Sequence, residues 1–328
     1  MKIFITGASG FIGKAIVKKL LAQGGFNITG LLLPFETEQV LEDMPVRIVR
    51  GDITRSQTLS GLMKDHDAII HLAGAVGYGQ TMGHCIQVNR NGTANVAAEA
   101  GRSGVRRFIH FSSVSVYGRV PDVPIGESFP LKKIGDPYGD TKIDAENILT
   151  DLSNQNKLDL TILRPTVIYG PGDTMFLPKL LENVESGNAR IIGNGLNRVD
   201  LIHVKDVADF VLLVLRESKT IGQIYNLTHP SNPTWLEFMS VITQELGLSK
   251  IERRLPYLPA LVIAGVLELL ARLLGKQSRL TRYSVRVVGR HYRYMTDKFQ
   301  QDLGYYPKID LQSGIKAELA RIKKNKNL

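Results

Sequence analysis

Eight residues, TGASGFIG at positions 6–13, constrain this chain more than any others. An apolar run of strand length, residues 2–6, leads straight into them, and a helix-period pattern at 12–23 follows, stopped by Gly24 and Gly25. Gly7, Gly10 and Gly13 let the chain turn tightly and bring backbone N–H groups and a helix N-terminus against an anion, the arrangement that holds a dinucleotide pyrophosphate. The spacing is GxxGxxG rather than the commoner GxGxxG, so the strand before it and the helix after it carry the argument.

The same alternation continues. Strands are expected at 27–32, 46–49, 68–72, 107–112 and 159–163, with helices between them at 57–63, 86–103 and 137–154. This is the pattern of an α/β protein with a Rossmann-type, doubly wound parallel sheet. After Arg164 the rhythm is broken by Pro165, Gly170, Pro171 and Gly172. Residues 166–328 then read as mainly a smaller, partly interleaved C-terminal substrate lobe, beside an NAD(P)-binding unit at 1–165. Within the lobe, helices are expected at 175–187, 204–216 and from Pro233, short strands near Arg190 and Leu201, and a frayed end at 323–326.

Composition narrows the class. A chain of 328 residues, 43% hydrophobic, can bury a large core and is neither disordered nor low-complexity. The one cysteine, Cys85, excludes an internal disulfide, no His pair has metal-ligand spacing, and a reducing compartment is expected. Trp235 is expected to pack, and His71 and His203 to be structural. The first residues lack a signal-peptide pattern, which points to a cytoplasmic protein. The whole net charge of +10 lies beyond Lys250, where 16 Lys and Arg face 6 carboxylates. No stacking or RNP-like aromatic pattern accompanies these cations, so nucleic acid is not an expected partner.

Tyr138 and Lys142 stand in YxxxK spacing within a helical pattern, one turn apart on one face. A free phenol titrates near ~10, and a fixed ammonium together with a bound nicotinamide cation favours its ionised form, so Tyr138 is expected to have a lowered pKa and to exchange a proton with an alcohol or carbonyl. Ser112 and Ser113 lie just upstream, at the carboxyl end of the fifth strand, where open α/β sheets bind ligands. Asp52, after the third strand, suits an adenine amino group. The second strand ends Leu31, Leu32, Leu33, Pro34, offering neither the carboxylate that favours NAD nor the cation that favours NADP, with Glu36 set further along.

TGASGFIG, GDIT, HLAG, VNRNGT, SSVSVYG, YGDTK and LRPTVIYGPGD together resemble the extended short-chain dehydrogenase/reductases, the epimerase/dehydratase type, over nearly the whole chain. The resemblance implies catalysis by Ser113, Tyr138 and Lys142. It implies a cofactor, NAD or NADP, lined by Gly7, Gly10, Phe11, Ile12, Gly13, Asp52, Ile53, Leu72, Ala73, Gly74, Asn89, Ser112, Pro165 and Val167 together with Tyr138 and Lys142. It also implies a homodimer paired through cofactor-domain helices. Sugar-nucleotide members often carry an Asn shortly after the sixth-strand Arg, and an Arg immediately before the residues ahead of their HV motif. Here Thr166 and Val167 follow Arg164 and Pro165, and Arg198 stands one position early. Segments 193–210, 280–288 and 299–315 are more similar to the 3β-hydroxysteroid dehydrogenase and ketoreductase branch. The expected substrate is therefore a lipid-like or sterol-like hydroxyl or keto compound. A nucleotide-sugar epimerase or dehydratase is the alternative, and a non-catalytic NAD(P)-binding sensor a more distant one.

The stretch 256–275 is an apolar helix interrupted by Glu268 and Arg272, too short and interrupted for a membrane span. Lys276, Arg279, Arg282, Arg286, Arg290 and Arg293 follow it. Two expectations stand side by side: a cap over the substrate pocket with solvated or substrate-gripping cations, or peripheral membrane contact through 256–293.

Overall fold

The computed structural model describes residues 1–38, 41–77, 79–274 and 280–326. Its centre is a seven-stranded, wholly parallel sheet. In chain order the first half contributes β1 (Lys2–Thr6), α1 (Phe11–Gln23), β2 (Asn27–Leu32), β3 (Arg47–Arg50), β4 (Ala68–His71), a short α2 (Met82–Cys85), α3 (Gly92–Arg102), β5 (Arg107–Phe111), α4 (Pro137–Asn154) and β6 (Asp159–Pro165). The second half adds β7 (Val167–Tyr169), α5 (Leu177–Glu185), β8 (Ile191–Ile192), β9 (Leu201–His203), α6 (Val204–Arg216), β10 (Gln223–Leu227), α7 (Trp235–Leu246), β11 (Arg254–Leu255), α8 (Tyr257–Leu273), α9 (Arg282–Val288), α10 (Asp297–Leu303) and α11 (Leu311–Lys326).

All six expected strands form, within a residue or two of their expected ends. A seventh, β10, extends the sheet beyond β6, giving the order β10-β6-β5-β4-β1-β2-β3. The strand order reverses at β1, between β4 and β2, and the loops at their carboxyl ends open a cleft there, where doubly wound sheets take ligands. The strands are buried on both faces, under α1 and α6 on one side and α3 and α4 on the other. The helix expected at 57–63 is only a 3₁₀ turn, Ser56–Leu59. The one expected at 86–103 is split into a π-turn, Ile86–Asn91, and α3. The end expected to fray at 323–326 is instead helical, because Ile315 and Leu319 of α11 are buried in the cluster built by α5 and α7. Gly275, Lys276 and Arg279 of the basic stretch lie outside the described residues.

Helix α4 matters most for the cleft. Pro137 opens it, and Asp136 caps it by accepting from the Gly139 N–H at 2.8 Å. Asp140 accepts from the N–H groups of Ile134 and Gly135, both at 2.9 Å, and holds the incoming loop against the first turn. Two turns on, Glu146 and Arg164 of β6 form a buried bidentate pair, Nε–Oε1 at 2.9 Å and Nη2–Oε2 at 2.6 Å. Arg164 also donates to the Tyr117 hydroxyl and the Glu127 carbonyl, so its charge is fully engaged. Leaving one member of such a pair alone in the interior typically costs about 3–5 kcal/mol. Arg164→Met should lower unfolding stability by about that amount in denaturant titration, and a loss below about 1 kcal/mol would show that the pair is not structurally important.

Candidate functional site

Steric closeness builds the floor of the cleft. Gly7 has φ +71°, and a Cβ there would lie 2.9 Å from the Ala73 nitrogen. A Cβ on Gly13 would lie 2.1 Å from the Gly7 carbonyl oxygen, so the first turn of α1 can sit on the glycine loop only as glycine. Gly10, at the N-cap, provides no side-chain cap, and the first turn of α1 holds no acid. The positive helix end is therefore left facing the cleft with free N–H donors. These features fit a dinucleotide pyrophosphate.

A cavity of about 970 Å³ opens over this floor. Its walls bring together Gly7, Gly10, Phe11, Ile12, Gly13, Leu72, Ala73, Gly74, Ser112, Ser113, Tyr138, Lys142, Pro165 and Val167. Three expected cofactor residues are not among its walls. Asp52 accepts from the Thr54 N–H and hydroxyl, closing its own turn, and Ile53 packs where a Cβ on Gly92 would lie 2.7 Å away. Asn89 is fully buried; its amide accepts from the Ala75 N–H at 2.7 Å and donates to the Ala75 carbonyl and the Thr141 hydroxyl. In this structure Asn89 braces the loop after β4 against α4.

Lys142 is buried, and its ammonium donates to the Phe111 carbonyl at 2.7 Å while lying 5.9 Å from the Tyr138 ring centroid. Burial pushes it down to about 8, against the pull of Glu146. Taken together, the protein's own groups act on Tyr138 in the opposite sense to a nicotinamide cation. Burial pushes its phenol up to about 12; a hydrogen bond with Ser113 opposes this, while Asp136 and Cys85 reinforce it. Desolvation of the phenolate outweighs the ammonium, which is committed to a backbone oxygen. The phenol is thus neutral at pH 7 and set to donate a proton. Ser113 accepts from the Ser115 N–H at 3.2 Å, and the buried Ser112 hydroxyl has no protein partner.

Two of the carboxylates in the walls, Glu36, which the sequence set too far along, and Asp200, bear most on what the cavity can hold. The turn Leu33–Glu36 folds back on itself, Glu36 N–H to Leu33 oxygen at 3.1 Å, and three carbonyls of this turn accept from Arg50. Glu36 consequently reaches the glycine loop, accepting from the Ser9 hydroxyl at 2.9 Å and the Leu33 N–H at 2.6 Å. Asp200 lies across the cleft and accepts from Asn232 and the Tyr294 N–H; burial pushes its carboxyl up to about 7. Arg198 does not line the cavity and donates to the Asn232 carbonyl at 2.6 Å.

The remaining conspicuous residues are structural. His71 bridges Thr6 and Thr93, and burial pushes it down to about 3. His203 caps α6 through the Lys205 N–H and packs edge-on against Tyr169. Cys85 and Trp235 are buried, and no group of three metal-ligating side chains occurs among the described residues.

Known proteins share this architecture. The family model for the NAD dependent epimerase/dehydratase family matches residues 3–228. A 2-alkyl-3-oxoalkanoate reductase from Stenotrophomonas maltophilia is 27% identical over 96% of this chain and 98% of its own length. The mouse sterol-4-alpha-carboxylate 3-dehydrogenase, decarboxylating, is 28% identical over 96% of this chain and 89% of its own. The fold superposes on UDP-glucuronic acid 4-epimerase from Bacillus cereus, solved with NAD, with a TM-score of 0.80 at 23% identity over 99% of both chains. With a glycine floor that fits a dinucleotide, and a match spanning the whole central sheet, this chain belongs to the NAD-dependent epimerase/dehydratase family.

Proposed function

We propose that this protein is an NAD-dependent oxidoreductase acting on a hydroxyl or keto carbon of a lipid-like substrate, with Ser113, Tyr138 and Lys142 as its catalytic residues. The observation that carries this reading is the convergence of these three side chains on one cavity whose floor is the glycine loop. Residues 1–165 act chiefly as the cofactor unit and 166–328 chiefly as the substrate lobe. The working form is a homodimer in the cytoplasm, paired through cofactor-unit helices that include α4.

Bound nicotinamide supplies or takes the hydride. Tyr138, neutral near pH 7, donates its phenolic proton to the oxygen of a reacting carbonyl. Ser113 donates to that same oxygen and polarises it, as both side chains line the one cavity. Lys142 offsets charge on Tyr138 as the proton leaves. In the opposite direction the same groups return the proton, with Tyr138 as the base.

Substrate class follows from the walls. Met175, Phe176 and Val199 give apolar surface, and Arg282, Arg286 and Arg290 stand in the same cavity. This suits an apolar molecule bearing an acidic group. The names of the two relatives above each pair a carboxylate with a hydroxyl- or oxo-bearing carbon. The epimerase reading loses support where Arg198 lies outside the cavity walls and donates to the Asn232 carbonyl instead.

Tyr138→Phe should lower carbonyl reduction by about 10²- to 10⁴-fold while cofactor still quenches intrinsic fluorescence; an unchanged rate would remove the assignment. The raised phenol and depressed ammonium set the pH dependence. Reduction is expected to hold level up to neutral pH and to fall as Lys142 loses its proton near 8. A rate rising through that range would contradict this. The Glu36 carboxylate beside Ser9 should favour a ribose hydroxyl over a 2′-phosphate. Glu36→Gln is expected to narrow the preference for NADH over NADPH by about tenfold, and an unaltered ratio of kcat/KM would exclude Glu36 from cofactor selection.

A further inference from the structure

Helix α8 holds to the protein by a narrow stripe. Ala260 and Ala264, one turn apart and fully buried, pack on Val285 of α9 and Ile192 of β8. Its opposite face carries Leu258, Val262, Val266, Leu269 and Leu273, all exposed, the first and last 71% and 75% so. Spacings of three and four residues align them into one apolar strip along the helix. Monomeric proteins seldom leave so much contiguous apolar surface in water.

The sequence that carries this strip is strongly basic. From Glu252 to Arg293 it holds nine Lys and Arg and two carboxylates, Glu252 and Glu268. Glu268 is turned to α9, accepting from the Arg282 N–H at 2.8 Å and its guanidinium at 2.7 Å, so the outer strip carries no acid among the described residues. Arg253 and Arg254, both exposed, shortly precede α8 in the chain, next to the exposed Glu252. No described helix is long and apolar enough to cross a membrane. A second copy seated on the same face would bring two such cationic sets together, whereas an anionic lipid surface complements both the apolar strip and its charge.

We infer that α8 seats in the interface of an anionic phospholipid bilayer, and that the catalytic cavity opens at that surface. Glu268, Arg282, Arg286 and Arg290, from α8, α9 and the turn after α9, line the same cavity as Tyr138, so the membrane-facing helix is also the rim of the substrate entrance. An apolar substrate then passes from the leaflet past α8 into the cavity without crossing water. This deepens the lipid reading of the site and rests on it.

The test uses the full chain and its Val262→Glu/Leu269→Glu double variant, both exposed positions, with folding checked by circular dichroism and melting temperature. Cosedimentation is measured with phosphatidylcholine vesicles with and without phosphatidylglycerol, at low and high salt. The native chain is expected to bind the anionic vesicles at least tenfold better than neutral ones at low salt, and the variant to lose at least tenfold. Reduction of a long-chain 3-oxo lipid presented in vesicles should fall in the variant, with turnover of a short, water-soluble 3-oxo ester unchanged. Absence of vesicle binding at low salt, or equal binding by the variant, overturns the inference. So does dissociation of a dimer by the double variant in sedimentation velocity, which assigns the face to a second copy. Binding needs no turnover: vesicle binding without reduction of any oxo lipid contradicts the oxidoreductase reading alone, and reduction without vesicle binding contradicts the docking alone.

Discussion

Arg164 and Glu146 meet in the interior through two hydrogen bonds, and that contact ties α4 to the sheet directly behind the catalytic cleft. Lys142 makes the second tie one turn earlier, on the Phe111 carbonyl at the end of β5. A helix held at two such points cannot rotate or slide, and Tyr138 is consequently held in the wall of the cleft. Asn89 and Thr141 add a third contact, through the loop that follows β4. Each of these bonds lies in a nearly dry interior, where an unpaired partner is costly and a satisfied network is stiff.

That dryness also sets the chemistry. It raises the phenol and lowers the ammonium together, so at neutral pH a neutral phenol stands beside a Lys142 that still carries its proton. A neutral phenol is a proton donor, which suits reduction of a carbonyl. Oxidation of an alcohol needs the phenolate, and the protein by itself disfavours it. Burial thus sets the resting protonation of the phenol, while the direction of net turnover follows from the substrate and cofactor supplied.

What could be read from the sequence was local. The glycine loop was legible because its steric demands lie within eight residues, and the Tyr138–Lys142 pair because helical period alone places both on one face. The strands of the first half follow from apolar runs bounded by turns. The place of Glu36 was not legible: it stands too far along the chain, and only a backbone turn and three bonds from Arg50 bring it to the glycine loop. Strand β10 pairs with β6 across more than fifty residues, and α11 gains its order from α5 and α7, so neither is marked by its own segment. The burial of the phenol was hidden for the same reason: spacing fixes which groups are near, while the solvent they lose depends on the whole fold. Asn89 shows the converse, a motif residue whose contacts in this structure are all to backbone and a neighbouring hydroxyl.

The most direct measurement follows the hydride itself. Reduction of a long-chain 3-oxo acid with nicotinamide cofactor deuterated at C4 should place one deuterium on the new carbinol carbon, with one cofactor oxidised per product, as read by mass spectrometry and absorbance. Product formed without label and without net cofactor oxidation would contradict the account and assign the site to an internal return of hydride, as an epimerase requires.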